Sequence, residues 1–200
     1  MPRIDRDMIV ERLGKLPPLE SLFTGDEIVR QKVIGERPLK PAAVLVLFVG
    51  HAEPAIVFTQ RNRHLADHAG QISFPGGRRH EEDSSAEDTA LRESEEEIGL
   101  DRSRVRVLGR LPDYRTGTGY NVTPIVGWIE PPVEYRADPR EVDDVFEVPL
   151  SFLLDVRNHR YESAFFKGQM RNYWAMPYGR RFIWGATAGM LVTLQRILTP

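Results

Sequence analysis

The 200-residue chain has no cysteine, which excludes disulfides, thiol nucleophiles and the soft-ligand sites of structural zinc. Its five histidines never fall into an H-E-x-x-H pattern, so that route to zinc is closed too. No apolar stretch approaches the roughly 20 residues of a membrane span; the longest, AAVLVLFVG at 42–50, is strand length. G-x-G-x-x-G, the dinucleotide fingerprint, is missing. A basic block is missing as well: 27 Lys and Arg stand against 29 Asp and Glu, and a pI near 6.2 argues against a duplex nucleic-acid partner. The start, MPRIDRDMIV, lacks the apolar core of a signal peptide, and RILTP at the end is not S-K-L, so the cytosol is the expected compartment. No internal repeat or low-complexity segment occurs. With 41% apolar residues the chain suits a soluble globular protein able to bury a sizeable core.

What the chain does have is concentrated acidity. Residues 81–97 hold nine acids (Glu81, Glu82, Asp83, Glu87, Asp88, Glu93, Glu95, Glu96, Glu97) and one base, Arg92, a local balance of −8 in a chain whose net charge is −2. Most charge runs are simply solvated helix faces. Here Gly76 and Gly77 precede the run, Ser84 and Glu87 read as a capping box, and Gly99 reads as the helix stop. On a helix Glu93, Glu96 and Glu97 fall at i, i+3 and i+4 and share a face, whereas Glu95 points away. Ala86, Thr89 and Ala90 lie on the side of Glu93 and Glu97, leaving room for the glycine loop to approach. Like charges at this spacing cost a helix roughly 0.2–0.5 kcal/mol per pair. A divalent, oxygen-preferring cation such as Mg2+ would offset that repulsion.

Arg92, Glu93, Glu96, Glu97, Gly99 and Leu100 resemble the right-hand part of the Nudix box, G-x5-E-x7-R-E-U-x-E-E-x-G-U, with U aliphatic. Ser94 stands where an aliphatic residue is usual, Ser84 stands where the first Glu belongs, and Gly77 lies one residue further upstream than the box spacing. A second stretch, FTQRNRHLADHAGQISFPGG at 58–77, is similar to R-x-x-x-L-x-x-H-x-G-x-x-x-F-P-G-G, the signature of the coenzyme A pyrophosphatase branch of that family. Arg61, Leu65, His68, Gly70, Phe74, Pro75, Gly76 and Gly77 are in register with it. The shifted glycine and lost first Glu are also features of that branch. Glu141–Asp155 and Ile183–Met190 look like further segments of it, so the resemblance spans about residues 40–195.

The resemblance implies metal-dependent hydrolysis of the diphosphate of coenzyme A or acyl-CoA to 3′,5′-ADP and (acyl-)4′-phosphopantetheine, with Mg2+ or Mn2+. Cations neutralise the diphosphate oxygens and orient the attacking water. Glu93 and Glu97 are then the metal ligands, Glu96 a further ligand or the acceptor of the water's proton, and a Gly76 or Gly77 carbonyl a backbone ligand. Arg92 would orient a box carboxylate rather than touch substrate; an ordinary ion pair with Glu95 or Glu96 is the simpler reading and is compatible. Among the later acids Glu141 is the candidate general base, while Asp143 and Asp144 read as surface residues. The anionic substrate calls for Arg61, Arg63, His64 and His68, although His68 could instead be a core histidine and Arg63 a plain surface residue. Two other readings stay open: the same chemistry on ADP-ribose, a dinucleotide or a nucleoside triphosphate, and a non-catalytic nucleotide-binding domain. A homodimer is compatible with the sequence.

The expected fold is α/β, a Nudix-type α/β/α sandwich around a mixed β-sheet, with residues 1–40 as an N-terminal helical extension packing on a domain at 41–200. Within the extension a helix is read from about Asp5 to Leu13, and a second beginning near Asp26. Strands are read at Ala42–Phe48, Ala55–Thr59, Gln71–Phe74, Val105–Leu108, Val122–Trp128 and Val145–Val148. A short helix after Pro149, a hairpin carrying Tyr161, Phe165, Tyr173 and Trp174, and a final helix at Gly185–Leu198 complete the pattern. Those aromatics would either stack on a base or simply face a sheet.

Overall fold

Period-two alternation in the central strands divides the protein into two cores. In β1 (Lys40–Val49), Val46 and Phe48 face one core, whereas Ala43, Leu45, Leu47 and Val49 face the other. The computed structural model describes residues 4–22, 38–65, 68–166 and 169–199. In order, the remaining elements of the main body are α1 (Arg6–Gly14), α2 (Leu19–Leu22), β2 (Ala55–Arg61), β3 (Ile72–Ser73), β4 (Gly76–Arg78) and α3 (Ala86–Ile98). They continue with β5 (Arg106–Arg110), β6 (Tyr114–Arg115), β7 (Tyr120–Ile129), β8 (Val142–Pro149) and α4 (Leu150–Leu154). Strands β9 (Arg160–Phe166), β10 (Gln169–Tyr178) and β11 (Arg181–Trp184) then precede α5 (Ala186–Leu198).

The main sheet runs β3-β2-β1-β7-β5, with β8 on β2, β6 on β7 and β4 on β1. Only β1 and β7 pair in parallel; the other pairings are antiparallel. Helix α3 covers one face, packing Ala90 and Ile98 on Leu45, Leu47 and Val57. Against the other face lie α1, α2, α4 and α5, with Ile9, Leu22, Leu153 and Leu191 in the second core. The result is the α/β/α sandwich around a mixed sheet. A separate antiparallel sheet, β9-β10-β11, adjoins it through Met176 and Ile183.

Two local features set the site. First, β1 is shared: residues 48–49 pair with β2, while residues 42–44 pair with β4. The chain between β2 and β4 therefore crosses the sheet's end instead of running beside β1. Second, Gly99 ends α3 in the left-handed conformation (φ 63°, ψ 27°), its N–H bonded to the carbonyl of Glu95. Several elements were not anticipated. Glycine-rich β4 has no β-branched or aromatic content to signal it, and β6 and β11 are too short for a periodic signal. The helix read near Asp26 lies outside the described residues. The cap of α3 also moves by one residue: Ser85 accepts the Asp88 N–H, and Ser84 instead donates from its amide and hydroxyl to the Asp88 carboxylate, leaving Glu87 out of the box. Either serine has an acid three or four residues on, so spacing alone did not decide between them.

A Cβ at Gly99 would meet the Arg136 Cβ at 2.9 Å in a backbone conformation that L residues resist. Gly99→Ala is expected to lower stability by about 1–2 kcal/mol, read from the midpoint of urea unfolding at unchanged slope. An unaltered midpoint would mean that the turn relaxes freely.

Candidate active site

The acidic helix is anchored by a residue that spacing did not single out. Asp83, buried one turn before α3, accepts two bonds from Arg92, at 2.8 Å from Nε and 2.9 Å from Nη2. The His80 amide and the Thr89 hydroxyl donate to it as well, at 2.8 and 2.9 Å. Four donors hold this carboxyl well below the usual carboxylate range, the Arg92 bonds first among the causes. The signal was present: a mostly buried arginine needs a planar anionic partner, and an acid just before a helix N-terminus is favoured by its dipole.

From its other nitrogen Arg92 reaches forward along the helix, at 2.9 Å to Glu93 and 3.0 Å to Glu96. Glu95 turns away and faces Arg102, as the helical spacing requires. Ser94, in the usual aliphatic position, is fully buried and spends its hydroxyl on the Ala90 carbonyl at 2.6 Å. Glycines then bring the strand against the acids. A Cβ on Gly77 would lie 2.6 Å from the Glu93 carboxyl carbon, and one on Gly76 would lie 2.5 Å from the Cα of Val44. A side chain at Gly76 would press on the β1 backbone, and one at Gly77 would push the Glu93 carboxylate out of its place.

Glu97 sits deepest of the three. Only 4% of it is exposed, yet its donors are few: the Gly76 amide at 3.0 Å, with Arg61 Nη1 at 3.8 Å. Burial pushes its carboxyl up to about 7, against the pull of Gly76 and Arg61 and with help from the charges of Glu93 and Glu141. Burial also raises Glu93, with Arg92 opposing. The buried Arg61 Nε has no partner among the described residues.

The other predicted residues divide. Glu141 is exposed at the start of β8; its carbonyl accepts from Asn62 N, beside Arg61, and its charge is felt at Glu97. Arg63 and His64 are exposed on the turn after β2, their amides bonded to Asp143 and Asn62. His68 is exposed rather than core, at a φ of 58° with Nδ1 2.8 Å from Gln71 Oε1. A cleft of about 780 Å3 is not lined by α3. It lies beside it, where Gln60, Arg63 and Gly70 face Asp143, Arg180 and Trp184. The β10–β11 turn's contribution was not read from the sequence, since it lies more than a hundred residues beyond Arg63.

Among the described residues, no three carboxylates or histidines converge closely enough to grip a metal ion. Geometry explains why the helical trio falls short: Glu93 and Glu96 are turned to Arg92, whereas Glu97 is turned to Gly76. The chemistry of the set nonetheless fits a hard divalent cation. All donors are oxygens, and the two innermost acids are buried with too little positive charge beside them.

A family model described as the NUDIX domain matches residues 38–167. An uncharacterized Nudix hydrolase NudL of Shigella flexneri is 42% identical over 186 residues, covering 91% of this chain and 96% of that protein. Its counterpart in Escherichia coli K12 is 43% identical over 152 residues, or 76% and 79% of the two chains. Among solved structures, the NUDIX domain of Shewanella oneidensis NrtR complexed with ADP ribose is 21% identical, with 70% of this chain and 87% of that one covered and a TM-score of 0.46. The matched region, residues 38–167, takes in the glycine strand β4 and the acidic helix α3 of the site, and the class it defines is a hydrolase. The chain belongs to the Nudix hydrolase family, whose members generally use divalent metal ions.

Two outcomes are expected. Asp83→Ala leaves Arg92 without its main partner and should cost about 3 kcal/mol or more in unfolding free energy; a loss below about 1 kcal/mol would deny the pair its anchoring role. Glu97 holds its proton more tightly folded, at about 7, than unfolded, at 4.5. Metal-free protein therefore gains from this group below pH 4.5 and loses the gain, on the order of 3 kcal/mol, as pH rises through 7. Mg2+, binding the ionised form, should reverse that loss and tighten as pH rises from 6 to 8. Urea titrations with and without Mg2+ at the two pH values check both signs.

Proposed function

We propose that this enzyme hydrolyses the diphosphate of coenzyme A or acyl-CoA, releasing 3′,5′-ADP and (acyl-)4′-phosphopantetheine. One observation carries the reading beyond the family: the 61–77 segment starts and finishes on the same carboxylate. Arg61 approaches Glu97 from the end of β2 and Gly76 donates to it from β4. Between those two points the segment borders the 780 Å3 cleft, at Arg63, Gly70 and Gln71. A single stretch with the coenzyme A-type signature thus links the acidic helix to a space large enough for a nucleotide.

In this reading Glu93 and Glu97 hold Mg2+ or Mn2+, with Glu96 and a Gly77 carbonyl completing the protein's share. The bound ion neutralises diphosphate oxygens and lowers the pKa of a water. Water adds to one phosphorus, the bridging P–O bond breaks, and the water's proton leaves to a carboxylate, with Glu141 or Glu96 the nearest candidates. Arg92 is a positioning residue: clamped by Asp83, it sets the rotamers of Glu93 and Glu96 and yields part of its pairing when a cation arrives. Arg61, with a spare buried donor, is suited to a diphosphate oxygen.

Purified protein with Mg2+ or Mn2+ should convert coenzyme A to the two named products by mass spectrometry. Glu97→Gln should reduce the rate by at least about 100-fold while circular dichroism stays unchanged, because it replaces a buried charge by a neutral isostere. Intact coenzyme A alongside rapid cleavage of ADP-ribose or a dinucleotide would overturn the substrate; full activity in Glu97→Gln would overturn the ligand assignment.

A further inference from the structure

We infer that the cleft between the 61–77 segment and the β10–β11 turn is the subsite for the 3′-phosphate and adenine of the substrate, Arg63 and Arg180 pairing with the phosphate and Phe182 and Trp184 giving the base a stacking face. This rests on the coenzyme A reading and adds the part of the molecule that would tell coenzyme A from other diphosphates. At about 780 Å3 the cleft falls within the range of nucleotide-sized sites.

Its charges are unevenly engaged. Arg181 is spoken for: its Nη2 lies 2.7 Å from Asp144 Oδ2 and its guanidinium sits 3.8 Å above the Phe146 ring. That ties the β10–β11 turn to β8 and neutralises Asp144. Asp143 directs one oxygen to the Arg63 amide at 3.3 Å. Arg63 and Arg180 are exposed, and among the described residues neither side chain is in an ion pair. Two arginines then face a cleft with one carboxylate left to oppose them, an arrangement that favours an anion.

The aromatic side is equally specific. Phe182 and Trp184 are two apart on β11 and so share a face. They are 41% and 38% exposed, unusual for side chains of this size. Tyr173 meets Trp184 edge-on at 5.5 Å and 72°, which fixes the indole and leaves a face open. Aromatic planes beside unpaired guanidinium groups suit a nucleotide base joined to a phosphate.

Position supports the assignment. The β2–β8 register shifts between Gln60 and Arg61, and there Gln60 borders the cleft while Arg61 approaches Glu97. Arg63 follows on the turn after β2 and lines the cleft, so the diphosphate side and the cleft side are joined by two residues of chain. A diphosphate held at Glu97 would place its 3′-phosphate on the cleft side.

The test compares coenzyme A with dephospho-coenzyme A in steady-state hydrolysis and, separately, adenosine 3′,5′-bisphosphate with AMP in equilibrium binding. Wild-type protein and Arg180→Ala are used, with Trp184→Ala as the second variant. The ratio of kcat/KM for the two coenzymes should favour coenzyme A and should fall about tenfold in Arg180→Ala, chiefly through KM. Trp184→Ala should weaken both nucleotides alike. If coenzyme A is cleaved but the ratio does not move in Arg180→Ala, the subsite is overturned and the proposed function stands. If wild type leaves coenzyme A intact, the proposed function fails, and binding alone decides the subsite. A bisphosphate preference that Arg180→Ala abolishes upholds it; equal binding of the two nucleotides overturns it.

Discussion

Everything at this site follows from placing carboxylates where water cannot reach them. Asp83, Glu93 and Glu97 are buried or nearly so, and an uncompensated buried carboxylate is costly enough that it neutralises instead of remaining charged. The protein treats them differently. Asp83 receives four donors, including both arms of a guanidinium, and is a settled anion. Glu97 receives one amide and a distant arginine, and is not. Glu93 stands between them and shares Arg92 with two other acids. The outcome is a gradient of compensation from the turn before α3 to its last turn, from a carboxylate with four donors to one with a single short amide bond among the described residues.

That gradient depends on the way the sheet divides. Because β1 pairs with β2 at one end and β4 at the other, Arg61 at the end of β2 and Gly76 at the start of β4 both reach Glu97, one at each carboxylate oxygen. Two glycines are what allow β4 to lie so close. Side chains at Gly76 and Gly77 would collide with β1 and with Glu93 respectively. Packing and chemistry here are one constraint, since the strand packed against Glu97 also supplies its 3.0 Å hydrogen bond, from the Gly76 amide.

Much of this was legible from order and spacing. Helical periodicity put Glu93, Glu96 and Glu97 on one side and Glu95 on the other, and the structure agrees because that is a property of the helix alone. Core strands rich in β-branched residues were found for the same reason. What escaped was whatever depends on partners distant in the chain or on backbone without side chains. Strand β4 is nearly all glycine and arginine, so it has no β signature until it meets β1. Asp83 looked like one acid among nine, because only the folded turn brings it to Arg92. Residues 180–182 carry no motif, and the relation of residues 180–184 to Arg63 exists only once β11 has packed beside β3. Glu96 was placed on the acidic face and its ion pair with Arg92 was one of the two that spacing offered; the other is not formed, since Glu95 pairs with Arg102.

Strand β2 suggests why such an arrangement would support varied specificity on constant chemistry. The β2–β8 register shifts between Gln60 and Arg61, and the two neighbours part there: Arg61 approaches Glu97 while Gln60 borders the cleft. Asp144, paired with Gln60 across β8, falls on the cleft side with Arg181. A substitution at Gln60, Asp144 or Arg180 reshapes the cleft without displacing an atom that touches Glu93 or Glu97. A substitution at Arg61, Gly76 or Gly77 does the reverse. The groups that border Glu97 and those that line the cleft are thereby adjacent in sequence but carried by different side chains.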